Sequence, residues 1–167
     1  TCNLKRAVND IILSKSFDNG MICASEQAAI VDQEIYEAFV EEISRFKVYW
    51  VNADEKAKLE NYMFPDRTKG VNPNVVGKPA TWIAEQAGFI VPENTTILCA
   101  ECSEVGPNEP LTREKLSPVL AFLKSTDTND GITKACQMVE FNGLGHSAAI
   151  HTESKAISEE FGTRVKA

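Results

Sequence analysis

The sequence predicts an α/β fold, an open and mainly parallel sheet with helices on both faces. Two observations predict it. The short apolar runs "QAAIV", "VYWV", "TTILCAEC" and "VLAFLKS" read as buried strands, and between most of them lie segments with apolar residues at three- and four-residue spacing. Strands separated by helices usually pair in parallel through right-handed crossovers, which places helices over both sheet faces.

The first helix is expected over residues 3 to 16, where Leu4, Ala7, Val8, Ile11 and Ile12 fall on one face. A Gly-containing turn follows, then the strand "QAAIV". Asp32 is the expected N-cap of a helix running to about Phe46, with Ile35, Phe39, Val40 and Ile43 as its apolar stripe. After "VYWV" a helix is expected over 54 to 63, stopped by Pro65 and Gly70, with 65 to 78 as loop. Pro79 suits the first turn of a helix carrying Trp82, Ile83 and Ala87, and Gly88 suits its C-terminal stop. "TTILCAEC" is the next strand, and the proline-rich "SEVGPNEPLTREKLSP" is a long loop of the kind that often carries function. "VLAFLKS" is a strand. Asp127 caps a helix with Ile132, Ala135, Cys136 and Val139 inward, ending near Gly143, and "SAAIHT" and "SKAISEEFGTRV" read as a last strand and helix. Reactive groups in such sheets are expected at the C-terminal ends of the strands.

The 167 residues suit one domain, with 43% hydrophobic and 25% charged residues. No apolar run approaches the roughly 18 residues of a membrane span. The N-terminal residues show no secretory signal pattern. A net charge of -7 repels phosphate backbones, so no nucleic-acid partner is expected, and no membrane. Five cysteines at irregular spacing point to reduced thiols and a cytoplasmic setting. No Gly-x-Gly-x-x-Gly or Gly-Lys-Ser/Thr phosphate loop is present.

Cys23 stands in the turn "FDNGMICASEQ". Buried cysteines are commonly small hydrophobes, but Asn19-Gly20 lets the backbone approach a ligand, and turn N–H groups can stabilise a thiolate or an oxyanion. Glu26 can tune that thiol or cap local backbone. Cys99 and Cys102 have the spacing of half a metal site, but no second pair completes it and they lie in a strand pattern, so no metal is expected. His151, expected on a strand, is read as structural.

"SKSFDNGMICASEQAAIV", residues 14 to 31, resembles the active-site segment of the CoA-acylating aldehyde dehydrogenases, especially the aldehyde dehydrogenase half of bifunctional aldehyde–alcohol dehydrogenases. "AEQAGFIVPENTTIL", "EPLTREKLSPVLAF" and "NGLGHSAAIHT" continue the resemblance in order. It implies that Cys23 attacks the aldehyde, that hydride passes to NAD, and that the resulting thioester is transferred to coenzyme A. A thiolate suits this, because a thioester keeps the acyl group activated for a second thiol. The resemblance assigns Glu114, in "REKLSP", to the hydroxyls of the nicotinamide ribose and Leu116 to the nicotinamide ring. It places His146 near the reacting atoms, where an imidazole can exchange protons with the CoA thiol or the oxyanion.

The implied whole is a catalytic domain over 1–167 with the dinucleotide-binding domain absent from this chain, a short-chain aldehyde as substrate, and a homo-oligomeric parent enzyme. The isolated chain is expected to turn over little, because both lobes must hold the nicotinamide against the thiohemiacetal. The alternatives are an acylating dehydrogenase for another aldehyde, such as succinate semialdehyde, and a non-catalytic α/β thiol sensor in which Cys23 is oxidised.

Overall fold

The computed structural model describes residues 2–167. Four parallel strands, β1 (Ala28–Asp32), β2 (Val48–Trp50), β3 (Ile97–Glu101) and β4 (Val119–Ser125), form one sheet in the order β1-β4-β3-β2. The register is fixed by pairs such as Ala28 with Ala121, Cys99 with Leu120 and Tyr49 with Leu98.

Both faces of this sheet are buried, which explains why its strands read as continuous apolar runs. On one face Val8, Ile11 and Ile12 of α1 (Leu4–Ser16) and Phe39 and Ile43 of α2 (Tyr36–Ile43) pack on Leu120 and Phe122. On the other, Leu59 and Met63 of α3 (Ala53–Met63) and Ile83 and Ala84 of α4 (Ala80–Ala87) pack on Val119, Ala121 and Leu123. Residues i and i+1 of β4 therefore serve opposite cores.

The expected ends at Gly88 and Asp127 are kept, Pro79 stands at the N-cap of α4 rather than in its first turn, and Asn52 and Ser154 supply caps that were not expected. Asn52 and Glu55 form a reciprocal capping box on α3. Gly88 closes α4 in the left-handed region, at φ 95°. Asp127 accepts from the Asp130 N–H at the start of α5 (Thr128–Asn142), and Ser154 caps α6 (Lys155–Arg164).

Three further expectations are corrected. Asp32 is the last residue of β1, not an N-cap; its Oδ1 accepts from the Glu34 N–H and closes a turn, so α2 starts later and ends at Ile43 rather than Phe46. "SAAIHT" forms no strand, and residues 147–152 run irregularly and mostly exposed. A strand exists by pairing, and among the described residues none pairs with this segment; the face assigned to His151 by strand alternation is therefore void. Finally, the candidate residues collect at the N-terminal ends of the strands. Cys23 precedes β1, and Glu114 and Leu116 precede β4. The parallel connection from β3 to β4 is not a helix but the proline-rich loop, which crosses one face through buried Leu111 and delivers residues 114–116 to that end.

That loop is held rigidly. Glu109 accepts from both the N–H and the hydroxyl of Ser103, each at 3.0 Å, and pairs with Lys56 of α3. Lys115 is fully buried, and its Nζ donates to the carbonyls of Gln27, Leu111 and Arg113 at 2.8, 2.6 and 2.9 Å. Burial pushes this ammonium well down from its ordinary range, while three carbonyls match its three donors. One side chain thus staples the crossover to the segment that follows Cys23.

Candidate active site

After α1 the chain turns through a short 3-10 segment, Phe17–Gly20, in which Asp18, Asn19 and Gly20 all lie in the left-handed region, at φ 49°, 52° and 68°. That conformation costs roughly 1–2 kcal/mol at each non-glycine position. Among the described residues the only other non-glycine with positive φ is Leu116, at 47°. Backbone strain is therefore confined to the two segments that the resemblance singled out, the pattern expected where surrounding structure over-determines a functional geometry.

The restraint is visible. Asn19 Nδ2 donates to the Gly77 carbonyl at 3.0 Å, and the Gly77 N–H donates to the Leu116 carbonyl at 3.0 Å. Gly20 lies so close to the next segment that a β-carbon there would stand 2.6 Å from the Ser117 carbonyl oxygen. Only glycine meets both the torsion and the contact.

This bracing leaves Cys23 exposed. It lines a cleft of about 400 Å³, together with Glu26, Glu114, Asn142, His146 and His151. Asn142, the last residue of α5, accepts from the Glu114 N–H at 3.0 Å. His146 Nδ1 lies 3.6 Å from Glu114 Oε1, within ion-pair reach when the imidazole is protonated. Helix α5 runs back from the C-terminal end of β4, which is how a residue 123 positions after Cys23 reaches the same cleft.

The structure thus brings Cys23, Glu114 and His146 to one cleft, whereas Leu116 does not line it and is tied instead, through its carbonyl, to the Gly77 N–H. It puts Glu26 partly in the protein, with Oε2 buried and without a hydrogen-bond partner among the described residues. His151 is exposed on the cleft rather than packed within a strand. Cys99 and Cys102 are buried, and burial pushes their thiols up, Cys102 to about 12. Among the described residues no group of three or more His, Cys, Asp or Glu has metal-site geometry, and no helix is long and apolar enough to cross a membrane.

Sequence reasoning did not single out Lys15, Gln27, Gly77, Lys115 or Asn142. For Lys15 a signal exists: it falls four residues after Ile11 and three after Ile12, on the buried stripe of α1. Gly77 and Lys115 lie in loops, where no periodicity marks them.

No protein-family profile matches the chain. Across its whole length it is 61% identical to the aldehyde-alcohol dehydrogenase of Streptococcus pneumoniae, and across 99% it is 38% identical to the bifunctional aldehyde-alcohol dehydrogenase of Escherichia coli. It spans 20% and 19% of the length of these curated relatives. Among solved structures, an acetylating aldehyde dehydrogenase from Geobacillus thermoglucosidasius superposes with a TM-score of 0.91 at 39% identity, over 96% of this chain and 35% of that one. Sequence and fold agree along the whole chain, and the chain belongs to the CoA-acylating aldehyde dehydrogenase family, most like the aldehyde dehydrogenase half of the bifunctional aldehyde–alcohol dehydrogenases.

Proposed function

We propose that this chain is the nucleophile-bearing catalytic domain of an NAD-dependent, CoA-acylating aldehyde dehydrogenase, acting on acetaldehyde or a similarly short aldehyde within a longer protein. The observation that carries the reading is the convergence of Cys23, Glu114 and His146 on one cleft, with backbone strain concentrated on both sides of it.

Cys23 Sγ adds as a thiolate to the aldehyde carbon, forming the C–S bond and leaving the former carbonyl oxygen as an oxyanion. When bound, NAD supplies the hydride acceptor that turns this adduct into a thioester. The CoA thiolate then attacks the acyl carbon, the bond to Cys23 breaks, and the Cys23 thiolate is regenerated. His146 takes the proton of the incoming CoA thiol, and Glu114 Oε1 at 3.6 Å stabilises the imidazolium.

The chain's residues suit the cofactor on their own evidence. Among the described residues the Glu114 carboxylate accepts no hydrogen bond; Oε1 faces His146 at 3.6 Å, which leaves Oε2 for a ribose hydroxyl, while the backbone is fixed by Asn142. The held, strained carbonyl of Leu116 fixes where its side chain emerges. Around the turn, Phe17, Met21 and Ile22 are 63%, 43% and 43% exposed, an apolar rim that suits closure by a dinucleotide-binding domain.

Two measurements test the reading. Incubation with acetyl-CoA followed by peptide mass spectrometry should show a hydroxylamine-labile acyl group on Cys23 and none on Cys99, Cys102 or Cys136. In the longer protein, Cys23→Ala should abolish CoA-dependent NADH formation from acetaldehyde. Acyl groups absent from Cys23, or unchanged turnover in the alanine variant, would refute it; oxidation of Cys23 without acylation would instead identify a thiol sensor.

A further inference from the structure

The mechanism above has no use for Lys15, yet its side chain is fully buried in the last turn of α1 and its Nζ has no hydrogen-bond partner among the described residues. The contrast with Lys115, whose amine meets three carbonyls, shows that the fold can satisfy a buried lysine where it uses one only for support.

Lys15 is set among the segments that flank the Cys23 turn. The Lys15 carbonyl oxygen stands 3.1 Å from where a β-carbon of Gly20 would lie, beside the Ser117 carbonyl on the same glycine. Glu26, three residues past Cys23, is the acidic group whose charge acts on Lys15, and Lys115 is the like charge it meets. Glu26 Oε2, Ser25 Oγ and Ser117 Oγ are also buried without hydrogen-bond partners among the described residues. Buried polar atoms are nearly always partnered; among the described residues seven buried side-chain atoms lack a partner, and four of them, Lys15 Nζ, Ser25 Oγ, Glu26 Oε2 and Ser117 Oγ, fall on the segments before, after and against this one turn. Burial pushes the Lys15 ammonium down to about 7, against the pull of Glu26.

We propose that Lys15 is a positioning residue: its amine and the Glu26 carboxylate, linked through internal water held by the Ser25 and Ser117 hydroxyls, brace the Cys23 turn from both ends, and the proton on Lys15 tightens or relaxes that brace. Charged, the amine attracts Glu26 across the turn and holds it closed. Neutral, it releases the attraction, so the reactivity of Cys23 changes with pH for a reason separate from its own ionisation. The inference deepens the reading of Cys23 as nucleophile and rests on it, but its test is alkylation rather than acyl transfer, so each can fail alone.

The experiment measures the rate of iodoacetamide alkylation at Cys23, resolved by peptide mass spectrometry, between pH 5.5 and 9 for the wild type, Lys15→Met and Glu26→Gln. The wild-type profile should show an inflection near pH 7 beyond that of simple thiol ionisation. Lys15→Met should remove it, and Glu26→Gln, which deletes the attractive charge, should move it to lower pH. As a check independent of variants, NMR titration of Lys15 13Cε in the wild type should move in step with the amides of residues 18–26. A Lys15→Met profile that superimposes on the wild type, an upward shift in Glu26→Gln, or turn amides that ignore the Lys15 titration would overturn the proposal.

Discussion

Replacing Lys15 by methionine removes the amine and leaves a flexible chain of similar length in the same pocket. The ammonium has an ordinary value of 10.5 in the unfolded chain and is held near 7 by burial in the fold. At about 1.4 kcal/mol per pH unit, carrying the charged form costs the native state about 5 kcal/mol near pH 6 and below. The folded value is depressed, so the native state binds fewer protons than the unfolded one between those values, and stability rises with pH across that window. By about pH 9 the native amine is neutral and about 2 kcal/mol of the cost remains. Lys15→Met should therefore be the more stable protein by up to about 5 kcal/mol near pH 6, with the advantage shrinking by about 2–3 kcal/mol near pH 9. Urea unfolding followed by the fluorescence of Trp50 and Trp82 at the two pH values measures both numbers. A methionine variant less stable than the wild type, or an advantage that does not change with pH, would refute the claim that burial costs this amine more than the attraction of Glu26 returns.

Lys115→Met should act in the opposite direction, since it strands the carbonyls of Gln27, Leu111 and Arg113 inside the protein; a loss of about 3 kcal/mol or more in the same urea experiment is expected. Gly20→Ala meets both a φ of 68° and the Ser117 carbonyl, and should cost about 2 kcal/mol or more while altering the alkylation rate of Cys23. Asn19→Ala loses the bond to Gly77 and leaves alanine in the left-handed region, so about 1–2 kcal/mol should disappear, read as a lower thermal midpoint by circular dichroism.

Much of this architecture was legible in the residues. The stripe from Leu4 to Ile12, the cap at Asp127 and the stop at Gly88 each state a local preference that the tertiary structure keeps. "VLAFLKS" is apolar at successive positions because both of its faces are covered. "SAAIHT" has a similar composition and forms no strand, because composition offers a strand and only a partner makes one. The position of the cleft was also misread. A general rule for open parallel sheets favours the C-terminal strand ends, whereas here the turn before β1, the crossover before β4 and the return of α5 converge at the opposite end. Cys23, Glu114 and His146 stand out as candidates through their motifs, and they line one cleft. The parts that hold them, Gly77, Lys115 and Asn142, each bond to backbone or side-chain groups far away in the chain, and such pairings leave no trace in local sequence.

The amide of Gly77 has a mechanical consequence. Its carbonyl takes a proton donor from one strained loop and its N–H serves the other, so the two behave as a linked pair with a shared pivot. A displacement of residue 116 therefore has a direct route to the turn that presents the Cys23 sulfur, and under the function proposed above a ring leaving that place would act on the turn through this one glycine.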